Sequence, residues 1–142
     1  MKRILILLVS AAAFFGCHSV TVGYLVTENA EYAPNEMNIP KEIPATYPNY
    51  SIRTANNSPW VTNVIQGVMG TQPINYEIAE VKASEGGNAE AFKAELKIRG
   101  AGLMEVPLYP EAPIGKYVVS IRIYNEGYSH IVNDVYTFNI VE

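Results

Sequence analysis

Residues able to do chemistry are few in this chain, and most occur singly. Cys17 is the only cysteine, His18 and His130 are the only histidines, and Asp134 is the only aspartate. A zinc site built from side chains takes three or four ligands, and two histidines at opposite ends of the sequence do not supply them. Ser129, His130 and Asp134 are the residue types of a nucleophilic triad. They share one short connection, whereas a triad is assembled from separated elements. The glutamates are scattered, and no pair stands out for acid–base work. No catalytic residue, no metal ligand and no cofactor is expected. What remains is the chemistry of flat aromatic faces, which stack on sugar rings and bury their apolar C–H surface: Trp60 and ten tyrosines. Tyr32, Tyr47, Tyr50 and Tyr128 fall in predicted loops and, with Trp60, are the candidate ligand contacts. Tyr76, Tyr117 and Tyr136 follow inward parity, and a lone tryptophan in a β-domain commonly fills the core.

Cys17 closes a segment with the three parts of a secretory leader: Lys2 and Arg3 at the front, an apolar run from Ile4 to Phe15, then Gly16 at a cleavage point. The run is shorter than the roughly 20 residues a membrane-crossing helix needs, and no later stretch approaches that length. Phe14-Phe15-Gly16-Cys17 resembles the bacterial lipobox, with phenylalanines where that motif usually has Leu and a small residue. The resemblance implies a diacylglyceryl thioether on Cys17, cleavage before it, and a lipid-carrying first residue. The composition agrees, because an exported chain with one cysteine has no partner for an internal disulfide. Residues 1–16 are thus read as a cleaved lipoprotein signal peptide and residues 17–142 as the mature protein.

The mature length suits a single domain, and a hydrophobic fraction of 49% with a mean hydropathy of +0.04 suffices for a core without disulfides or metals. Loss of Lys2 and Arg3 makes the formal net charge of −4 two units more negative. Nucleic acid is excluded as a partner, since phosphate binding needs clustered Lys and Arg.

The patterning is that of strands. Val20 to Thr27 alternates, with Val20, Val22, Tyr24 and Val26 on one face. Residues 28–59 hold five of the nine prolines and read as extended loop, with edge-strand pieces at Met37 to Ile39 and Tyr50 to Arg53. A short strand at Val61 to Ile65 precedes turns at Gly67 and Gly70. Ile74 to Ala83 is a longer strand in which the apolar phase shifts after Ile78, predicting a bulge. Ala89 to Leu96 has helical turns available, but strand is favoured from Lys93. Leu103 to Tyr109 places Met104, Val106 and Leu108 inward. The clearest signal is Lys116 to Tyr124 and Val132 to Val141, with Tyr117, Val119, Ile121 and Ile123 facing Tyr136, Phe138 and Ile140. Ser120, Arg122, Thr137 and Asn139 are predicted to face water. About seven strands and no strong helix predict an all-β fold, an antiparallel β-sandwich.

The segment from Gly115 to Gly127, closed by Asp134 to Ile140, resembles the final hairpin of cadherin-like and related immunoglobulin-like domains, with Tyr117 where their strand-F tyrosine packs. With Ser58-Pro59-Trp60 and Ile65 to Thr71, the chain looks like small Bacteroidota lipoproteins carrying such domains. The resemblance implies an immunoglobulin-like sandwich over 17–142 with an irregular Pro-rich stretch at about 28–59. Calcium, which cadherin-like domains hold with several carboxylates, is not expected, because Asn125 stands where an aspartate ligand would fall. The expected role is a non-enzymatic binding or adaptor module anchored in the outer membrane. It contacts a polysaccharide or an envelope protein, on the cell surface or the periplasmic face. The alternative is a structural subunit of an envelope assembly. Members displayed on the surface often carry an acidic run after the lipidated Cys. Here His18-Ser19-Val20-Thr21 follows, leaving both faces open.

Overall fold

The computed structural model describes residues 22–142. The leader, Cys17, His18, Val20 and Thr21 lie outside the described residues. In chain order the elements are β1 (Leu25–Val26), β2 (Glu36–Pro40), α1 (Tyr50–Ala55), β3 (Trp60–Val61), β4 (Met69–Gly70), β5 (Asn75–Ala83), α2 (Ala89–Glu95), β6 (Lys97–Arg99), β7 (Leu103–Val106), β8 (Gly115–Tyr124) and β9 (Ser129–Val141). No described helix is long and apolar enough to cross a membrane.

The strict alternation in the last two strands does what period 2 dictates, placing one row of side chains on the core face. Tyr117 lies opposite Phe138 and Val119 opposite Tyr136. These four, with Ile121, Ile123 and Ile140, are fully buried. Around this pair a four-stranded sheet forms in the order β2-β9-β8-β5, and a three-stranded sheet, β3-β7-β6, contributes Met104 and Val106 to the same buried cluster. A ribbon of β1 and β4 completes the all-β architecture. All pairings are antiparallel except β2 with β9, which run parallel from Glu36 beside Thr137 to Pro40 beside Val141. Pro40 ends an edge strand, where its missing N–H costs no ladder bond. Beyond it, Lys41 Nζ donates to the carbonyls of Pro110, Glu111 and Ala112 at 2.6, 3.0 and 2.9 Å.

The phase change in β5 is a register shift between Ile78 and Glu80, as expected. Other elements depart from the sequence reading. Tyr50 to Arg53 is not an edge strand but the first part of α1, entered through Asn49 in the left-handed region at φ 59°. Strand does not begin at Lys93 either. Asn88 caps α2 by accepting the Ala91 N–H at 3.1 Å, and helix continues to Glu95. This geometry delivers Phe92 to the core, stacked on Tyr117 with ring centroids 4.4 Å apart. The first strand shrinks to two residues and inverts its parity: Leu25 is buried, while Val22 and Tyr24 are exposed. Ser120 is buried rather than solvent-facing. The register slips between Val119 and Ile121, Asp134 turns through φ 50°, and its N–H is received by Ser120 Oγ at 2.9 Å.

Two buried phenols differ in what holds them. Tyr32 donates to the carbonyl of Gly102, whose φ of 82° suits glycine and whose Cβ would stand 2.9 Å from Ile65. The Tyr136 hydroxyl finds no partner among the described residues. Tyr32→Phe strands a buried carbonyl and should cost about 1 kcal/mol, whereas Tyr136→Phe should be nearly neutral. Burial raises the pKa of both phenols above the ordinary tyrosine value. The unfolded chain therefore releases these protons first as pH climbs past about 10, so their contribution is complete below that pH and fades above it. Urea midpoints should be flat from neutral pH to about 9 and then fall, less steeply in Tyr32→Phe.

Candidate functional site

The Pro-rich stretch positions an aromatic and cationic stack. Trp60, at the start of β3, is buried, and its Nε1–H donates to the Leu108 carbonyl at 3.1 Å. Tyr47 meets its ring edge-on at 5.5 Å. Arg53 comes from α1 to lie over both rings, its guanidinium 4.2 Å from the Trp60 centroid and 6.0 Å from that of Tyr47. Its Nε and Nη2 are buried and bond no described residue, so the aromatic faces are their main compensation.

Joined to this stack through Leu108, an open cleft of about 310 Å³ is lined by Asn57, Pro59, Glu95, Lys97, Glu105 and the segment Val106 to Leu108. The two carboxylates are already engaged. Glu95 accepts the N–H groups of Glu111 and Ala112 at 2.9 and 3.2 Å. Glu105 accepts Arg99 Nε and Nη2 at 3.0 and 2.5 Å. The side chains of Asn57 and Lys97 make no hydrogen bond among the described residues and are the groups free to meet a ligand. An amide and an ammonium over an apolar floor can hold a polar ligand with several hydroxyl or carboxylate oxygens.

The expected tyrosine platform is not assembled. Tyr32 is buried, edge-on to Tyr136 at 5.2 Å. Tyr47, beside Trp60, and Tyr50 are half-buried, their backbones joined by a Tyr50 N–H to Tyr47 carbonyl bond of 3.0 Å. Tyr128 is half-buried in the β8–β9 turn, where its N–H binds Asn125 Oδ1 at 3.0 Å. Ser129, His130 and Asp134 all lie on β9 with separate partners: Ser129 with Arg122, His130 Nδ1 with Thr27 Oγ1 at 3.1 Å, and Asp134 with Lys82 at 2.9 Å. No group of three or more His, Cys, Asp or Glu that could hold a metal occurs among the described residues.

A second feature lies on β9. Because β2 covers only Thr137 to Val141, no strand among the described residues pairs with the outer edge of Ser129 to Asn133, where Ile131 is 57% exposed. The opposite edge, β5, is protected by its bulge, by exposed Glu77, Glu80 and Lys82, and by Lys93 Nζ on the Ala79 carbonyl at 3.1 Å. Such devices discourage strand addition; the β9 segment is bounded by its own register slip at Asp134 and by the Thr27–His130 bond, but carries no Lys, Arg, Asp or Glu from Ser129 to Asn133. Arg53, Asn57, Lys97 and this edge escaped the sequence reading. The pairing of Glu105 with Arg99 was in principle visible as opposite charges on neighbouring strands. Compared with known proteins, the chain matches no family model, no curated protein sequence and no solved structure at a significant level.

Because Trp60 is buried in the core, Trp60→Phe should cost about 2 kcal/mol through lost volume and an unpaired Leu108 carbonyl. A surface sugar platform would lose less than about 0.5 kcal/mol. The urea midpoint decides between them.

Proposed function

We propose that this chain is a lipid-anchored, non-enzymatic binding or adaptor module of a bacterial envelope, resembling the small Bacteroidota lipoproteins with immunoglobulin-like domains. The anchor rests on the leader and on Gly16-Cys17. The immunoglobulin-like reading of the sheets draws support from Tyr117, whose hydroxyl donates to the carbonyl of Pro113, four residues upstream, at 2.7 Å. A tyrosine at the start of a late strand plays this part in such domains. On this reading the protein sits in the outer membrane, facing either the cell surface or the periplasm.

The partner favoured by the geometry is a neighbouring envelope protein, and the observation that carries it is the uncovered edge of Ser129 to Asn133 with Ile131 exposed. An extended peptide adds to such an edge through main-chain hydrogen bonds, with alternate side chains setting specificity. The second reading is a glycan held in the cleft by Asn57 and Lys97, since about 310 Å³ is at the lower end of the usual range for small-ligand sites.

Metabolic labelling with an alkyne fatty acid should tag the wild-type protein and leave Cys17→Ser untagged. A photo-crosslinker at Ile131 should capture one defined envelope protein in cells, whereas the same group at exposed Glu85 should not. Glycan-array binding by the soluble protein, abolished by Lys97→Ala, together with no crosslink at Ile131, would replace the protein partner with a polysaccharide.

A further inference from the structure

The chain enters the fold at a fixed place. The Tyr24 carbonyl accepts the Thr71 N–H at 2.9 Å, and the Tyr24 N–H donates to Thr71 Oγ1 at 3.1 Å. Asn125 then clasps this ribbon to the β8–β9 turn. Its Nδ2 donates to the carbonyls of Tyr24 and Thr71 at 2.9 and 3.1 Å, while its Oδ1 accepts the N–H groups of Gly127 and Tyr128. Gly23 permits the close approach: its φ is 99°, and a Cβ there would stand 2.4 Å from Thr71 Oγ1. The first described residues are therefore bonded to the same end of the domain that carries the hairpin turn.

The outward face at that end is apolar. Leu25 points inward opposite Gly70, so alternation turns Tyr24 and Val26 outward, and the register sets Met69 directly opposite Val26. Val22, Tyr24 and Met69 are 82, 55 and 57% exposed. No charged side chain occurs in Val22 to Thr27 or in Val68 to Gln72. Cys17 lies five residues before Val22, so even a fully extended link reaches about 18 Å.

We propose that the outward face of the β1–β4 ribbon rests on the phospholipid surface, Tyr24 at headgroup level and Val22 and Met69 against the acyl boundary. This rests on the lipid-anchor reading of Cys17. A tether of that length keeps the uncharged face within reach of the bilayer. The acidic balance of the mature chain assigns the attraction to apolar burial and the interfacial preference of tyrosine rather than to anionic headgroups. The contact orients the domain: the β8–β9 turn faces the membrane, and the end of β9 at Val141 is carried roughly 30 Å away along the strand.

The test uses the full-length protein, acylated at Cys17 and reconstituted in phosphatidylcholine vesicles. Met69→Cys and, as a second probe, Val22→Cys each supply a single free thiol for an environment-sensitive fluorophore. Glu85→Cys, in the turn beside the start of β8, is the distant reference. The Met69 and Val22 probes should be blue-shifted relative to Glu85 and quenched several-fold more by phospholipid brominated on its acyl chains, with no change at high salt. Equal, weak quenching at all three positions in protein whose Cys17 acylation is confirmed by mass spectrometry overturns the contact and leaves the anchor standing. A blue shift without bromine quenching overturns it in favour of a protein neighbour. An unmodified Cys17 removes the anchor, and the contact with it.

Discussion

Tyr117 is where separate parts of the chain are made to agree. Its ring stacks on Phe92 from α2, which in turn meets Phe138, the residue opposite Tyr117 on β9. Its hydroxyl donates to the Pro113 carbonyl at 2.7 Å and receives the Asn88 N–H at 3.3 Å. The start of α2 is thereby fixed against β8, and the consequences run on through covalent structure. At the far end of α2, Glu95 holds the N–H groups of Glu111 and Ala112. The carbonyls of Pro110 to Ala112 in turn hold Lys41 at the end of β2. Each hydrogen bond contributes about 1 kcal/mol, but the series links the helix, the loop before β8 and the edge strand into one arrangement. The position of β2 decides which part of β9 stays uncovered, so a packing constraint at Tyr117 reaches the surface read as an interface.

The sequence was most legible where one rule acts alone. In β8 and β9 the inward rows alternate over enough residues that no other pattern competes, and Tyr117, Val119, Ile121 and Ile123 are buried with Tyr136, Phe138 and Ile140 as the alternation predicts. The β5 bulge was visible because a bulge is a phase change in the same pattern. Reading failed where a local bond outvotes periodicity. The Asn88 cap turns Ala89 to Glu95 into helix, although the apolar spacing around Leu96 and Ile98 argues for strand. Asp134 in the left-handed region buries Ser120 from a position fourteen residues away in sequence. One inward leucine, Leu25, reverses the apparent face of β1.

The candidate site was the less legible part for a related reason. Tyr32 has the context of a loop residue, and its burial depends on Gly102, seventy positions away. Asn57 and Lys97 carry no motif and become neighbours only because β6 and the residues before β3 flank the same central strand, β7. Trp60 was recognisable as an aromatic anchor. Whether it faced sugar or core turned on the Leu108 carbonyl, whose position no short-range pattern encodes.

The surfaces proposed for contact are small, and the proposed anchor explains why small ones suffice. An edge of about five residues offers a few main-chain hydrogen bonds at about 1 kcal/mol each. With one apolar residue such as Ile131 buried as well, the gross sum is near 4 kcal/mol, which sets a dissociation constant no tighter than about 1 mM once the cost of association is subtracted. For a freely diffusing protein that affinity is too weak to matter. Two partners confined to one membrane surface meet at effective concentrations that themselves reach about the millimolar range for short tethers, so an edge of this size gains occupancy that free diffusion would not give it. The proposed lipid contact of the ribbon raises this further, because a domain held in one orientation presents β9 at a constant height instead of sampling all directions.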